Sequence, residues 1–427
     1  MPASSTAIQS DENASVADLR RVQDAQKTGV SPWRWVVAGV LLLAIVTGFF
    51  DRISVAVLFT DKSFNATLGT AFKPAVLGLL MSAFLLAYAL SAIFLSFIGD
   101  LLGPRRSLGA AAVFWGVIMM MMGACSSYGV MLFYRIVLGL SEGPQFSFVS
   151  KTVQRWFPAH ERSRATAIWM VGSPLGSAIG FPLTIWLVTN FGWRASFYVF
   201  GLINIFLIAP LIFGALRDRA PEGRDAPDAG TSRIQFADVR ALLVDSKVWM
   251  ISIYCMGLMT YIWGLNSWLP TYLERSRHIN LHQMGIYSSL PFILMFFGEL
   301  VSGVVSDRTG KRALISVLGL FFAGVLLFVA TQVHQPQLAA IIIALSAASS
   351  GFGIPSEISL AMRILPPSAT STGIGIINGI GNLVGAFAPA VIGWIAGATG
   401  SLQSGLLVVV VMSMIGSLAL IPMVRSH

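Results

Sequence analysis

The chain has 427 residues, of which 55% are hydrophobic and only 11% charged; a soluble globule of this size needs more polar surface, so lipid is its main solvent. The formal charge of +9 does not identify a nucleic-acid partner, because the basic residues follow a membrane pattern. Cys125 and Cys255 lie at or within apolar segments and are expected as free thiols. His160, His278, His282, His334 and His427 fall in loops or at the chain end without metal-ligand spacing, so neither a metal, a cofactor nor an enzyme's catalytic constellation is expected.

Residues 1–33 are polar, hold no apolar core of a secretory signal and read as a disordered cytoplasmic tail. Stretches of about 20 apolar residues cross the hydrocarbon layer. Twelve follow, at about 34–59, 76–99, 107–124, 128–151, 164–188, 194–215, 248–272, 285–305, 313–332, 338–361, 372–396 and 403–424. Only helices and closed barrels satisfy their backbone in lipid, so the fold class is an all-α membrane protein of twelve transmembrane helices. With the N-terminus inside, 21 of the 28 Lys and Arg fall in cytoplasmic segments, five in outer loops (Lys62, Lys73, Arg194, Arg275, Arg277) and two, Arg52 and Arg135, within the membrane. That positive-inside distribution places both chain ends in the cytoplasm.

Charges inside spans are rarer and more telling. Each costs roughly 2.5–3.5 kcal/mol at the bilayer centre on insertion scales and by default marks an ion or substrate pathway. Span one carries Asp51 and Arg52; span four carries Arg135 and Glu142. Adjacent helical residues point about 100° apart, so Asp51 and Arg52 each need another partner. Arg135 and Glu142 share a face about 10.5 Å apart along the axis. Tyr88, Gln145, Ser173, Asn266, Asn378 and Asn382 are polar groups in apolar helices, suited to orienting a ligand or to bonding a neighbouring helix. Glu299 and Glu357 lie towards the cytoplasmic ends of their spans and suit gate or scaffold contacts.

The chain also repeats itself. Gly99-Asp100-Leu101-Leu102-Gly103-Pro104-Arg105-Arg106, after span two, corresponds to Gly303-Val304-Val305-Ser306-Asp307-Arg308-Thr309-Gly310-Lys311-Arg312, after span eight. Asp100 and Asp307 are 207 residues apart, and Phe157-Pro158 and Leu365-Pro366 repeat at an offset of 208. The organisation is therefore a tail (1–33), a six-helix bundle (34–215), a hydrated cytoplasmic linker (216–247), a second six-helix bundle (248–424) and a short cytoplasmic end (425–427). Two pseudo-symmetric bundles so joined can rock about a site near the midplane. Shifted by 207, Asp51, Arg52, Arg135 and Glu142 fall on Leu258, Met259, Ile342 and Ser349. The charges belong to one half, which favours a substrate or coupling role over one in packing the fold.

The stretch Gly303 to Arg312 resembles the G-x-x-x-D-R-x-G-R/K-R signature of the major facilitator superfamily; the first copy has Ser96 in place of the leading Gly and Leu101 in place of Arg. Asp51-Arg52, Tyr134 to Gly143, Arg155-Trp156-Phe157-Pro158 with Glu161-Arg162, Gly192-Trp193-Arg194, Trp268-Leu269-Pro270-Thr271-Tyr272 and Gly381-Asn382 look like its anion:cation symporter branch. That branch includes bacterial sugar-acid and aromatic-acid permeases, sialin and the vesicular glutamate transporters. The resemblance covers nearly all of 34–424 and implies the major facilitator fold, a bacterial inner membrane and a gate role for Asp100, Arg105 and Arg106, with Asp307, Arg308 and Arg312 as the equivalent latch. Two departures stand out. Many relatives place a Tyr where this chain has Phe49, and sugar-acid permeases tend to offer an amide where it has Ser173. Both changes make the cavity less polar and favour a more apolar or smaller carboxylate.

The chemistry expected is proton-coupled symport of a small organic carboxylate by a functional monomer. Burial favours the neutral carboxyl unless a cation holds it ionised, whereas an arginine stays charged and grips a carboxylate through two parallel hydrogen bonds. Arg52, assisted by Arg135, holds the substrate, and Asp51 or Glu142, deprived of its cation, takes up a proton. The alternatives are an organic-anion or organic-phosphate exchanger, with less need of Asp51 and Glu142, and a drug/proton antiporter. The latter is disfavoured by the arginines and by Gly176 to Pro182, which lacks the Gly-Pro order of that group.

Overall fold

The computed structural model describes residues 32–96, 98–158, 161–217, 242, 244–365 and 370–424. The expected tail up to residue 31, most of the linker and residues 425–427 lie outside them. Eleven helices are long and apolar enough to cross a membrane. The remaining span, the fourth, runs as two helices, Tyr128–Glu142 and Gln145–Trp156, because Gly143 and Pro144 interrupt it. Pro144 has no N–H to donate to the preceding turn. Glu142 and Gln145 therefore flank the break, and the fourth span reaches Trp156 rather than the residue 151 expected from hydropathy.

Within the first six spans, one packs on five, two on four and three on six; among the last six, eight and nine flank ten, and seven meets eleven and twelve. Gly172, Gly176 and Gly180 let span five (Arg162–Met170 and Gly172–Phe191) lie against Ile45, Val46, Phe49 and Phe50 of span one (Trp33–Leu58). Such small-residue contacts replace the hydrophobic drive that lipid cannot supply.

The two sets of six meet along spans two and eleven and along spans five and eight. Span eleven is itself broken: one helix, Thr370–Gly385, ends, and a second, Ala388–Thr399, starts with Pro389 in its first turn. First-turn N–H groups lack intrahelical acceptors. The Ala390 N–H donates to Ser82 Oγ of span two (Pro74–Phe94) at 3.0 Å. Beside it a Cβ built on Gly78 would lie 2.3 Å from the Pro389 carbonyl oxygen, and one on Gly393 would lie 2.3 Å from the Pro74 carbonyl oxygen. Phe59 meets Trp268 at 5.2 Å and Phe181 stacks on Phe292 at 5.4 Å. These contacts lie between the midplane and the side remote from the linker. Together they close the far side. Asn378, on the linker-side half of span eleven, is exposed.

Gly78→Val inserts atoms where backbone meets backbone, and overpacking of this kind costs about 1–3 kcal/mol. The variant is expected to open the far side, seen as a longer distance between spin labels at the exposed positions Ser63 and Gln335. An unchanged distance would mean that this seam does not hold the far side shut.

Candidate functional site

Arg52 projects from span one into the break of span four. Its Nε meets Glu142 Oε2 at 2.7 Å and its Nη2 donates to Gln145 Oε1 at 2.8 Å. Gln145 is held in turn by donating Nε2 to the Ala44 carbonyl at 2.9 Å, with its amide lying against Gly48. The guanidinium also sits 4.8 Å from the Phe49 ring centroid, 4.7 Å from Tyr88 and 5.6 Å from Phe146. Only 1% of Arg52 and none of Glu142 or Gln145 is exposed. A buried pair is tolerable only when geometry and further hydrogen bonds offset desolvation. The two oxygens on Arg52 supply that here.

Asp51 points elsewhere, as adjacent helical residues must. Its Oδ2 accepts from Asn204 Nδ2 of span six at 2.7 Å. Asn204 opens a π-helical turn, Asn204–Ile208, that ends just before Ala209 and Pro210. Proline removes a donor and clashes with the carbonyl four residues back, and an inserted π turn is one way a helix absorbs it. Sequence reasoning missed Asn204, although an asparagine in the apolar stretch Trp193–Ala215, shortly before a proline, was a usable signal.

Arg135 lies on the same helix face as Glu142, yet it makes no ion pair among the described residues. Its Nη1 donates to the Asp51 main-chain carbonyl and its Nε to the Leu80 carbonyl, both at 3.3 Å, while Nη2 meets Met81 Sδ and the guanidinium covers the Phe84 ring at 4.3 Å. It is wholly buried between spans one, two and four rather than lining an open path. Three oxygens in this region are buried without a partner: Asp51 Oδ1, Glu142 Oε1 and Asn204 Oδ1.

Of the other candidates, Tyr88 and Gln145 join the cluster directly. Asn266 accepts from Ser177 Oγ at 3.2 Å across the halves. Asn382 accepts from Trp263 Nε1 at 3.1 Å and donates to Asn378 Oδ1. Trp263 lies 6.5 Å from Phe49 with the rings nearly parallel, which connects this second group to Arg52 through one aromatic side chain. Ser173 is partly exposed in span five, in no hydrogen bond with the cluster. On the linker side Arg105 donates Nε and Nη2 to the Phe213 carbonyl at 3.1 and 2.7 Å, within the first six spans. Arg106, Asp307 and Arg308 are exposed and Arg312 partly so; the side chain of Asp100 lies outside the described residues. Glu357 is buried and Glu299 partly buried, both away from Arg52.

The sequence matches the family model described as Major Facilitator Superfamily over residues 40–389 and, in a second overlapping match, 275–426. It is 27% identical over 387 residues to the probable sulfoacetate transporter of Cupriavidus necator, covering 86% of this chain and 88% of that one. It is 26% identical over 404 residues to the probable L-galactonate transporter of Escherichia coli, covering 90% and 88%. In structure it resembles a bacterial homologue of the human lysosomal transporter Spinster, crystallised inward-facing and unoccupied, with a TM-score of 0.75, 19% identity and coverage of 93% and 95%. At that identity the likeness speaks to the fold.

Removing one partner of a buried ion pair costs about 3–5 kcal/mol, because the other charge is left alone. Glu142→Leu is therefore expected to lower the thermal midpoint of the purified protein in detergent, and the double variant Arg52→Met with Glu142→Leu to recover most of the loss. A double variant no more stable than the single one would show that the unpaired arginine is not the cause.

Proposed function

Given that the chain belongs to the major facilitator superfamily, we propose that it is a secondary transporter that takes up a small organic carboxylate together with a proton by alternating access. The observation that carries this reading is the arrangement of oxygens on Arg52. Glu142 Oε2 and Gln145 Oε1 lie at 2.7 and 2.8 Å from two nitrogens of one guanidinium. A substrate carboxylate offers the same two acceptors on one planar group, so it can replace them and form the bidentate pair. One of the two carboxyls, Asp51 or Glu142, then takes up a proton to offset the charge that has entered.

Charge arithmetic supports the coupling. Arg52 and Arg135 balance Asp51 and Glu142 when both carboxyls are ionised, and the cluster is completely enclosed. A monoanion entering it leaves one uncompensated charge in a medium where that is costly; one proton on Asp51 or Glu142 cancels it. Arg135, bonded to the Asp51 carbonyl, assists by holding positive potential behind Asp51.

The walls inform the substrate class. Phe49, Tyr88 and Phe146 surround the guanidinium, and span five has the small hydroxyls Ser173 and Ser177 on this stretch. The aromatic wall at the guanidinium favours a short or weakly hydroxylated acid. The similarity to probable transporters of sulfoacetate and of L-galactonate supports an organic acid as the class. Asn266, Asn378 and Asn382 contribute from the second half, and Asp100, Arg105 and Arg106 with Asp307, Arg308 and Arg312 gate the linker side. In this reading that side is the cytoplasm, the membrane is a bacterial inner membrane, and one chain forms the pathway.

The test is uptake by proteoliposomes of labelled aromatic acids, short hydroxy acids, sugar acids and acidic amino acids, with and without an inward proton gradient. Accumulation of one class that collapses with the gradient is expected. Glu142→Gln is expected to abolish gradient-driven accumulation while retaining counterflow exchange. Gradient-independent exchange by the unaltered protein would replace symport with anion exchange, and undiminished accumulation by the variant would remove Glu142 from coupling.

A further inference from the structure

The three unpartnered oxygens are not equivalent. Asp51 and Asn204 each carry one of them, and the same two side chains are already joined through their other atoms, Asn204 Nδ2 donating to Asp51 Oδ2 at 2.7 Å. A carboxylate has no hydrogen to donate, so an ionised Asp51 leaves Oδ1 and the Asn204 carbonyl oxygen as two buried acceptors on side chains that are already joined. A carboxylic acid resolves both at once. With its proton on Oδ1, Asp51 donates to Asn204 Oδ1 while accepting from Asn204 Nδ2. The two planar groups then close a cyclic acid–amide pair with two hydrogen bonds. A proton on Glu142 Oε1 would serve that atom alone, whereas one on Asp51 Oδ1 serves two. Buried polar groups are nearly always paired, so the arrangement that pairs the most of them is the one to prefer.

We infer that Asn204, on the π turn of span six, is a positioning residue that reads the protonation of Asp51, and that this far-side-closed conformation is the one in which Asp51 carries the proton. The inference rests on the proton-coupled reading of the site and deepens it by naming which carboxyl holds the proton and what recognises it. The charged groups facing Asp51 are Arg52 on its own helix and Arg135 and Glu142 on span four. Span five, packed on the same stretch of span one, presents Gly176 and Gly180 against Phe49, Phe50 and Ile53, and span six presents Asn204. With Asp51 neutral, Arg52 paired to Glu142 and Arg135 held only by carbonyls and a sulfur, the cluster has one net positive charge, matching a monoanion. Loss of the proton removes one bond of the ring and sets two oxygens against each other. That event gives span six a reason to move, and its π turn is a local irregularity able to absorb the change.

The experiment is pH-difference infrared spectroscopy of the full-length protein in proteoliposomes without added substrate. An acid carbonyl band that disappears in Asp51→Asn and shifts in Asn204→Leu is expected. Because Asn204→Leu removes a buried partner and can compromise folding, the unaltered protein labelled with 13C-asparagine provides the second measurement. There an asparagine carbonyl band should change at the same pH midpoint as the Asp51 acid band. Absence of any acid band assignable to Asp51, or an Asp51 band whose midpoint no asparagine carbonyl follows, overturns the inference. If instead the ring is found but the liposomes show no proton-driven uptake, the transport reading fails and the acid–amide pair stands. Proton-driven uptake with no such pair gives the reverse result.

Discussion

A guanidinium cannot stand alone in hydrocarbon, and the placement of Arg52 within span one sets conditions on much of the first six helices. Its carboxylate partner comes from span four, 90 residues away in sequence, so spans one and four must meet at one depth. Its second acceptor, Gln145, must occupy the far side of a helix break, so span four cannot be one uninterrupted rod. The break costs backbone hydrogen bonds in lipid, where none are supplied by water. It is tolerable because Gly143 lies against the Tyr88 carbonyl and Ser91 in the packed interior rather than against acyl chains.

The same logic recurs at two other departures from helical regularity. Span six loses its α-helical register at Asn204, the residue that meets Asp51. Span eleven stops and restarts around Phe387, and the freed N–H of Ala390 becomes a donor to the opposite half. Each irregularity has a proline or glycine nearby, and each lies beside a polar contact between helices. The ordinary geometry of the remaining turns is what keeps these few places in register.

Much of this was legible in the residues. Hydropathy located twelve spans to within a few residues, because a requirement for about 20 apolar residues leaves little latitude. The separate destinations of Asp51 and Arg52 followed from helical rotation alone, and the structure separates them as that rotation requires. Three things were not legible. The break in span four is invisible to a window average that Gly143 and Pro144 barely lower. Asn204 escaped notice because a single amide among apolar residues is usually an interhelical bond, and its partner was 153 positions away. Arg135 shares a face with Glu142, yet its donors turn to the Leu80 and Asp51 carbonyls; which way a long side chain turns is decided by acceptors that helical spacing does not reveal.

The far-side seam is built chiefly from main-chain atoms and neutral side chains: carbonyls of Pro74 and Pro389 against glycines, an amide on Ser82, and aromatic rings, with Arg275 over Phe72 as a cation at its rim. Screening by dissolved ions weakens interactions between exposed charges and leaves such contacts nearly untouched. A closure of this composition therefore holds with much the same strength in dilute and in saline surroundings. The molecule keeps its barrier indifferent to the ionic weather outside, while the buried charges around Arg52 lie apart from that seam, enclosed by spans one, two, four and six.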